Sequence, residues 1–518
     1  MIKVPLPSYE HVVEKAETAD YIALTVPLCF DHETAISLAD RFVDQKYLAF
    51  LESASYGPHS RYSFLAFDPL WVFRYDSRTS TVTIHDDKDL VRSAQYVHPN
   101  PVRALKQMMG GKTLTAVYPE GTRLGGGDVV GSAGVFGYFG YDIASSLEPA
   151  VGRMPEKMIG LPDALFFMPQ SLLIFDHLAR RLFVSRIFRA HHESLQKEGT
   201  PHDLRGSLRD TYHRGVKDLG QLIRMLQSFH GPPTLEVEER ALDLGGFKAF
   251  VSEGEFKDRV QHCLEAIRRG DIFQIQIGNR LMGKTEARPF DIFRHLRMIN
   301  PSPYMFFCRF EDHHIMGASP EMMLQVEGKR LTHRPIAGTR RRSWNPEKDL
   351  ESKQELIDSE KERAEHIMLV DLARNDIGRI ALPGTVVVEE LMKIEEYSHV
   401  FHLVSQVSGQ LPEDKDCFDA LIVSFPNGTV TGAPKIKAME LINRYELFSR
   451  EFYAGCLGTI GLNGDMRTTL LIRTIHYAHG LASTQASAGI VFDSVPDHEW
   501  LEIKNKLTAC LLAIQNTL

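Results

Sequence analysis

The pattern of apolar residues changes near residue 240, and this change constrains the fold more than any other feature of the sequence. Before it, short runs rich in β-branched and aromatic residues, such as 47–51 and 71–75, alternate with turn-forming Gly and Pro clusters. After it, longer amphipathic helical patterns such as 256–269 alternate with strand patterns such as 304–310. The mixture predicts an α+β fold with large, mostly antiparallel β-sheets flanked by helices.

We place a domain boundary near residue 240, because Gly231, Pro232 and Pro233, followed by a polar stretch, are typical of a surface linker. The expected domains are residues 1–240 and 241–518. A chain of 518 residues has room for such a division, since domains average about 150 residues.

Composition excludes several functional classes. The chain has 59 Lys and Arg against 67 Asp and Glu, a net charge of −8, so nothing favours nucleic acid or an anionic membrane as a partner. No uncharged run approaches the roughly 20 residues that span a bilayer, and the first residues lack the pattern of a targeting peptide. The six cysteines are scattered without a CxxC pair, as is typical of reduced thiols. We therefore expect a cytoplasmic protein.

Nucleotide-binding and zinc motifs are absent on inspection. Residues 110–113 read GGKT, like the end of a phosphate-binding loop, but Lys106 stands where the first glycine of that motif is required. Gly131, Gly134, Gly137 and Gly140 are spaced by three, unlike a dinucleotide fingerprint. We expect these glycines to mark closely packed strands.

The segment 361–376, KERAEHIMLVDLARND, contains the first candidate site residue. In the helix that we predict over 353–376, Glu365 shares one face with Leu369 and Leu372. A carboxylate on an apolar stripe needs a metal, a cation or water to compensate its charge. Glu365 is therefore either a ligand-binding residue or a solvated residue at the edge of the helix.

A second acidic cluster lies near the C-terminus. Ser494 and Asp497 resemble a capping box that begins the last helix, along which Glu499, Glu502 and Lys506 share one face. This face is either an exposed one with an ordinary ion pair or a site where Mg²⁺ and an ammonium group hold an anion.

Three glycine-containing loops, 335–339, 427–435 and 487–491, offer backbone N–H groups and hydroxyls that suit a carboxylate. Each one taken alone is equally compatible with an ordinary turn.

Together these features resemble the chorismate-utilising enzymes, and within them the large subunit, or component I, of anthranilate synthases. The resemblance covers nearly the whole chain. It rests on LES (51–53), RYSF (61–64), GYFGYD (137–142), GDIFQ (270–274), NPSPYMFF (300–307), GASPE (317–321), RPIAGTRRR (334–342), AEHIMLVDLARND (364–376), GTVTGAPK (428–435), IRT (472–474) and SAGIVFDSVP (487–496).

The resemblance implies an α+β catalytic domain that binds chorismate and Mg²⁺. It places Mg²⁺ on Glu365 and Glu502. The residues that it implies for chorismate binding are Gly338, Thr339, Tyr453, Arg473, Ser487, Ala488, Gly489 and Lys506.

The resemblance also implies catalytic roles. Glu321 matches the general acid that protonates the departing 4-hydroxyl. His402 matches a histidine that acts in the later elimination of pyruvate. Without the resemblance, the apolar strand pattern around His402 indicates a histidine of the hydrophobic core. Gln274 stands where isochorismate and salicylate synthases carry a water-activating Lys. Ala337 stands where many aminodeoxychorismate synthases carry a Lys that attacks the ring. Ammonia is then left as the nucleophile.

The segments LES and NPSPYM resemble the tryptophan feedback pocket of the family. This implicates Ser53, Pro303, Tyr304 and Met305. A Pro-rich turn before a strand is the alternative interpretation of the second segment.

The chain departs from the usual family pattern at three places. Ser487 stands where the family usually has Gly, Gln276 and Gly278 stand where it has an apolar residue and Ser, and the usual aromatic residue is missing at 459–462.

The implied reaction is that of a carbon–oxygen lyase. It aminates chorismate to 2-amino-2-deoxyisochorismate and eliminates pyruvate to give anthranilate, the first step of tryptophan biosynthesis, with feedback inhibition by tryptophan. Because no Gly-x-Cys-x-Gly segment for a glutaminase occurs, a separate glutamine amidotransferase subunit is implied, within a heterotetramer. The alternative is component I of aminodeoxychorismate synthase, in the folate pathway.

Overall fold

The computed structural model describes residues 5–29, 31, 33–53, 61–86, 92–122, 128–190, 201–227, 234–235, 242–243, 245–396 and 400–517. The linker expected at 231–240 lies outside the described residues except for 234 and 235.

The helices alternate with strands along most of the chain. They are α1 (Tyr9–Ala16), α2 (Ala35–Asp40), α3 (Pro101–Met109), α4 (Ala144–Leu147), α5 (Pro201–Gln227), α6 (Glu253–Arg268), α7 (Pro289–Ile299), α8 (Pro346–Asp358), α9 (Glu360–Gly378), α10 (Cys417–Ser424), α11 (Lys435–Tyr445) and α12 (Pro496–Gln515).

The strands are β1 (Tyr21–Cys29), β2 (Tyr47–Glu52), β3 (Tyr62–Asp76), β4 (Thr81–Asp86), β5 (Arg92–Val97), β6 (Leu114–Val117), β7 (Gly134–Phe139), β8 (Ala164–Asp176), β9 (Arg181–Arg189), β10 (Phe247–Ala249), β11 (Gln274–Lys284), β12 (Tyr304–Phe310), β13 (His313–Ser319), β14 (Met322–Glu327), β15 (Arg330–His333), β16 (Ile336–Arg341), β17 (Val387–Glu396), β18 (Val400–Gln410), β19 (Gly432–Ala433), β20 (Cys456–Gly461), β21 (Met466–Leu470), β22 (Thr474–Ala478) and β23 (Leu481–Ile490).

The strands are hydrogen-bonded into one extended sheet system. Its main path runs β11–β23–β22–β13–β12–β2–β3–β8–β7–β20–β21–β14–β15–β18. Both β16 and β17 pair with β18. Among the described pairings only β1–β6 is parallel. The predicted α+β class with mostly antiparallel sheets is confirmed.

Strands from before and after residue 240 pair directly with one another. β2 pairs with β12, and β7 pairs with β20, so N-terminal strands stand between two groups of C-terminal strands. The largest hydrophobic core is shared in the same way, since Trp71, Phe136 and Phe166 pack in one cluster with Leu324 and Leu470, each at most 1% exposed. The two parts of the sequence therefore share one core.

Two local predictions near the candidate site are wrong. The helix predicted over 353–376 is two helices, α8 and α9, because Ser359 is extended (φ −67°, ψ 106°) and its hydroxyl caps α9 by accepting from the Glu362 N–H at 3.3 Å. The capping box predicted at Ser494 is also absent. Pro496 begins α12 after Val495, and the Ser494 hydroxyl instead accepts from the Val491 N–H at 3.0 Å.

The prediction that the glycines spaced by three mark closely packed strands is confirmed for Gly134 and Gly137. Gly134 and Gly137 lie on β7, and a Cβ at either position would collide with a backbone carbonyl, of Ile460 and Leu165 respectively. All six cysteines are free thiols. No helix in the described part of the chain is both long and apolar enough to cross a bilayer.

Candidate active site

A cavity of about 710 Å³ is lined by residues of β11, β16, β18, β23, α9 and α12. Most of the residues that the resemblance implicates in chemistry line this cavity: Gln274, Glu321, Gly338, Glu365, His402, Tyr453, Arg473, Ser487, Gly489, Glu502 and Lys506. Ala488 does not, because alternate residues of β23 face opposite sides and its side chain is fully buried in a hydrophobic cluster. The side chain of Thr339 lies outside what the structure describes.

Glu321 lies in the short connection between β13 and β14. Its backbone carbonyl accepts hydrogen bonds from the Thr469 hydroxyl at 2.7 Å and the Leu470 N–H at 3.0 Å, which fix the connection. The residue is 6% exposed, and its Oε1 has no hydrogen-bond partner among the described residues. Burial raises the pKa of Glu321 to about 8, opposed only by a hydrogen bond from Thr429. The carboxyl group is therefore protonated at neutral pH and can act as an acid.

Gln274 and Gln276 lie on one face of β11, opposite Gly489 of β23. A Cβ at Gly489 would lie 2.9 Å from Nε2 of Gln276 and 3.2 Å from Nε2 of Gln274, so a larger residue would require both carboxamides to move. Gln274 is 7% exposed and its Oε1 has no partner in the described part of the chain. A buried carbonyl oxygen of this kind favours a ligand that brings an N–H or O–H donor.

Four carboxylates reach the cavity from two helices. Glu362 and Glu365 come from α9, and Glu499 and Glu502 come from α12. The spacing of three residues places both members of each pair on one helix face. Glu502 is paired with Lys506, with Nζ and Oε1 2.5 Å apart.

This donor set fits a hard divalent cation such as Mg²⁺, which prefers carboxylate oxygens and keeps several water ligands. The described residues contain no group of three or more His, Cys, Asp or Glu side chains placed to hold a metal ion by themselves. Two carboxylates such as Glu365 and Glu502 could thus supply only part of a coordination shell. Water and ligand oxygens would complete it.

A positively charged end of the cavity is built from Arg473 and Lys506. Arg473 adopts φ 51°, a conformation uncommon for a non-glycine residue, and its Nη1 donates to the Lys506 carbonyl at 3.1 Å. Loss of water around the guanidinium lowers the pKa of Arg473. The Lys506 Nζ donates to the Ser487 carbonyl at 2.8 Å, and the Tyr453 hydroxyl donates to Ser487 Oγ at 3.0 Å. This end of the cavity suits an anion.

His402 lies on β18 beside a bulge in β16 where Gly338 has φ 69°. The His402 Nδ1–H donates to the Gly338 carbonyl at 3.1 Å, so the ring nitrogen with the lone pair is Nε2. Burial lowers the pKa of His402, and this effect exceeds the opposing one of the hydrogen bond to Gly338. The imidazole is therefore neutral at pH 7 and able to accept a proton.

A second cavity, of about 80 Å³, is lined by all four residues predicted for the effector site: Ser53, Pro303, Tyr304 and Met305. Residues of β3, β20 and β21 complete its wall. LES and NPSPYM meet here because β2 and β12 are paired, with Glu52 opposite Met305. Binding of tryptophan in this cavity stays a prediction.

The sequence analysis missed Glu362 and Gln485 among the residues that line the large cavity. Glu362 lies one helical turn before Glu365 and pairs with Arg340 at 3.1 Å. Its spacing of three residues from Glu365 could have identified it in the sequence, because both residues then share one helix face. Gln485 lies on β23 two residues before Ser487, and its Oε1 accepts from the buried Arg280 at 3.0 and 3.1 Å.

Comparison with known proteins agrees with this geometry. The family model described as chorismate binding enzyme matches residues 50–512. The chain is 37% identical over 518 residues to anthranilate synthase component 1 of Acetivibrio thermocellus, with 98% of each chain covered. It is 41% identical over 392 residues to the Streptomyces coelicolor protein of the same description, covering 74% of this chain and 73% of that one.

A solved structure gives the same result. The crystal structure of anthranilate synthase component I from Streptococcus pneumoniae TIGR4 matches with a TM-score of 0.70 at 32% identity, covering 88% of this chain and 93% of that one. The chain therefore belongs to the chorismate-binding enzymes, and within them to the component 1 chains of anthranilate synthases.

Proposed function

We propose that this chain aminates chorismate with ammonia to 2-amino-2-deoxyisochorismate and then eliminates pyruvate to give anthranilate, the first step of tryptophan biosynthesis. The observation that carries the proposal is that a protonated Glu321 shares one cavity with a cationic end and four carboxylates. Such a cavity fits a dicarboxylate that must lose a hydroxyl group.

Substrate binding follows from the charges. Arg473 and Lys506 take one carboxylate of chorismate, together with the backbone of Gly338, Thr339, Ala488 and Gly489. Glu365 and Glu502 would hold Mg²⁺, which when bound neutralises a substrate carboxylate and orients it. Ser487 lies at the end of the cavity that holds Arg473 and Lys506, where its carbonyl accepts a hydrogen bond from Lys506 Nζ at 2.8 Å.

Glu321 supplies the proton for the first step. The carboxylic acid donates it to the 4-hydroxyl, which leaves as water while ammonia bonds to the ring and the double bonds shift. Burial serves this role because a carboxyl group with a pKa of about 8 keeps its proton at neutral pH.

The identity of the nucleophile is inferred from the residue at position 274, which is Gln. A carboxamide is no base, so water is not activated at this position, and Ala337 offers no amine. The unpartnered Oε1 of Gln274 is suited to accept a hydrogen bond from ammonia, which needs no deprotonation before attack.

His402 is proposed to act in the second step. Its neutral ring can take a ring proton through Nε2 while the Gly338 carbonyl holds Nδ1–H. Removal of this proton lets the C–O bond to the enolpyruvyl group break and makes the ring aromatic; the departing enolate takes up a proton and becomes pyruvate.

Ammonia requires a source, for which we propose a separate glutamine amidotransferase subunit in a cytoplasmic heterotetramer. Tryptophan is proposed to inhibit through the small cavity. In this proposal residues 241–518 carry out the chemistry and residues 1–240 form part of the effector site. The walls of the cavities support this division, because among the described residues the large cavity is lined only by residues from 274 onward, whereas the small one includes Ser53.

The test is an assay of the purified chain with chorismate, Mg²⁺ and either ammonium or glutamine. We expect anthranilate, followed by its fluorescence and by chromatography, with ammonium but not with glutamine. Glutamine-dependent turnover by the chain alone would contradict the proposed division of labour. Formation of 4-amino-4-deoxychorismate instead would assign the chain to the alternative reaction.

A further inference from the structure

Ser487 and Gly278 are direct neighbours across the β23–β11 pair. A Cβ at Gly278 would lie 2.6 Å from Ser487 Oγ, closer than two such atoms can approach. The Ser487 hydroxyl therefore occupies the space that any side chain at residue 278 would need. These two positions are also two of those at which the chain departs from the usual pattern of its family.

The Ser487 hydroxyl is held by Tyr453, whose own hydroxyl donates to Ser487 Oγ at 3.0 Å. Because Oγ accepts that proton, the proton of Ser487 must point elsewhere. No acceptor for it lies within hydrogen-bond distance among the described residues, although Ser487 is only 5% exposed and lines the catalytic cavity. A ligand that enters the cavity with a hydrogen-bond acceptor would satisfy this buried donor.

The surroundings indicate the charge of that ligand group. Lys506 donates its Nζ to the carbonyl of the same Ser487, and the Lys506 carbonyl in turn accepts from Arg473. Ser487 therefore lies at the end of the cavity that holds Arg473 and the Lys506–Glu502 ion pair. A carboxylate is the acceptor that suits this end.

We propose that the Ser487 hydroxyl donates a hydrogen bond to a carboxylate of the bound substrate, and that Tyr453 is a positioning residue that orients this hydroxyl. Gly278 is required because only glycine leaves space for it. The inference rests on the proposed function, since it takes chorismate as the substrate, but it concerns binding rather than turnover.

The first experiment measures the Kd of chorismate by calorimetry with Mg²⁺ and without ammonia, so that no reaction occurs. Ser487→Ala should bind chorismate about tenfold more weakly, because a hydrogen bond to a charged group is lost. Tyr453→Phe should weaken binding less. The double variant should bind no more weakly than Ser487→Ala, because Tyr453 acts only through Ser487.

Steady-state kinetics separate this role from a structural one. Ser487→Ala should raise the KM of chorismate while kcat and the KM of ammonium stay within about twofold of wild type. The matched control is Ser483→Ala on the same strand, whose buried hydroxyl has no partner among the described residues and does not line the cavity. It should leave the Kd and KM of chorismate unchanged.

Gly278→Ala tests the shared space. It should weaken chorismate binding in the wild-type background, where the new methyl group displaces Ser487 Oγ, and have less effect in a Ser487→Gly background. In this variant the new Cβ also lies within 2.9 Å of the Ala486 carbonyl. If Gly278→Ala does not fold for this reason, the affinities of Ser487→Ala and Tyr453→Phe for chorismate test the proposal instead.

Three results would overturn the proposal. They are wild-type affinity in Ser487→Ala, a greater loss of affinity in Tyr453→Phe than in Ser487→Ala, and additive losses in the double variant. If the wild-type chain binds chorismate but makes no anthranilate from it with ammonium, the proposed function fails while these affinities still decide the role of Ser487.

Discussion

The large cavity and the small cavity differ in size, in the chemistry of their walls and in the part of the sequence that builds them. The large cavity is about 710 Å³, is lined by residues from 274 to 506, and carries four carboxylates on α9 and α12 together with Arg341, Arg473 and Lys506. The small cavity is about 80 Å³ and is lined by strands from both sides of residue 240. A ligand in the small cavity contacts both parts of the molecule, whereas a substrate contacts only one.

One residue belongs to the wall of the small cavity and also touches the catalytic machinery. Thr469 lines the small cavity, and its hydroxyl donates to the Glu321 carbonyl at 2.7 Å. Glu321, the proposed general acid, is thus held in place by a side chain that an effector in the small cavity would contact. Because the two cavities are separate apart from this contact, we expect substitutions in the large cavity to act on turnover and those in the small one to act on inhibition.

The largest expected effect is loss of the carboxylates proposed for Mg²⁺. Glu365→Gln and Glu502→Gln should each lower turnover by about 10³ or more, because a neutral amide is a poor magnesium ligand. Anthranilate formation at saturating Mg²⁺ is the measurement. Glu360→Gln, on the exposed start of the same helix α9 and away from the cavity, should behave as wild type. Full wild-type activity in excess EDTA would contradict the metal assignment.

Loss of the general acid comes next. Glu321→Gln should reduce kcat by about 10²–10⁴ with little change in the affinity for chorismate. In the wild type, activity should fall as the pH rises through about 8, where the Glu321 carboxyl loses its proton. Equal kcat in both proteins would remove Glu321 from the mechanism.

Glu321→Gln should also change how the stability of the folded protein depends on pH. The pKa of Glu321 is about 8 in the folded protein against an ordinary value of 4.5, so the folded state binds this proton more tightly. The stability that this group contributes is fully present below the lower value and is lost as the pH rises through the higher one. The melting temperature of the wild type should therefore fall relative to Glu321→Gln between about pH 5 and pH 9.

His402 should affect only the second half of the reaction. His402→Met should slow pyruvate elimination by about 10²–10⁴, so that 2-amino-2-deoxyisochorismate accumulates and is detected by chromatography. His402→Asn is the matched control, because its amide can still donate to the Gly338 carbonyl. Restored anthranilate formation in the Asn variant would make His402 a structural residue.

In the small cavity we expect an effect on regulation alone. Ser53→Phe should fill the space and leave the ammonium-dependent rate near that of wild type while inhibition by tryptophan is largely lost. Ser53→Ala adds no volume and should remain inhibited. If the wild type is not inhibited at millimolar tryptophan, the cavity is no effector site.

The smallest expected effect lies at the contact between the two regions. Thr469→Val should raise the tryptophan concentration for half-inhibition by about two- to tenfold, because it removes the hydrogen bond to the Glu321 carbonyl. Thr469→Ser keeps the hydroxyl and should retain normal inhibition. Identical inhibition of both variants would show that the contact carries no coupling.

The sequence by itself determined the fold class and the chemical character of the catalytic cavity. The helical spacing of Glu499, Glu502 and Lys506 is local, because residues three, four and seven apart share one face whatever the helix packs against. The strand patterns at 47–51 and 304–310 are equally local, and both appear in the structure as β2 and β12.

Only the tertiary structure decided the rest. The break at Ser359 depends on a competition between helix continuation and capping, which periodicity does not report. The raised pKa of Glu321 depends on burial by strands distant in sequence. The contact between Gly278 and Ser487 depends on the register of β11 against β23, and no pattern within either strand specifies the residue that lies opposite. Gly278 and Ser487 are far apart in the sequence and meet only because β11 pairs with β23. The departures from the family pattern at these two positions therefore form a single structural feature only in the folded chain.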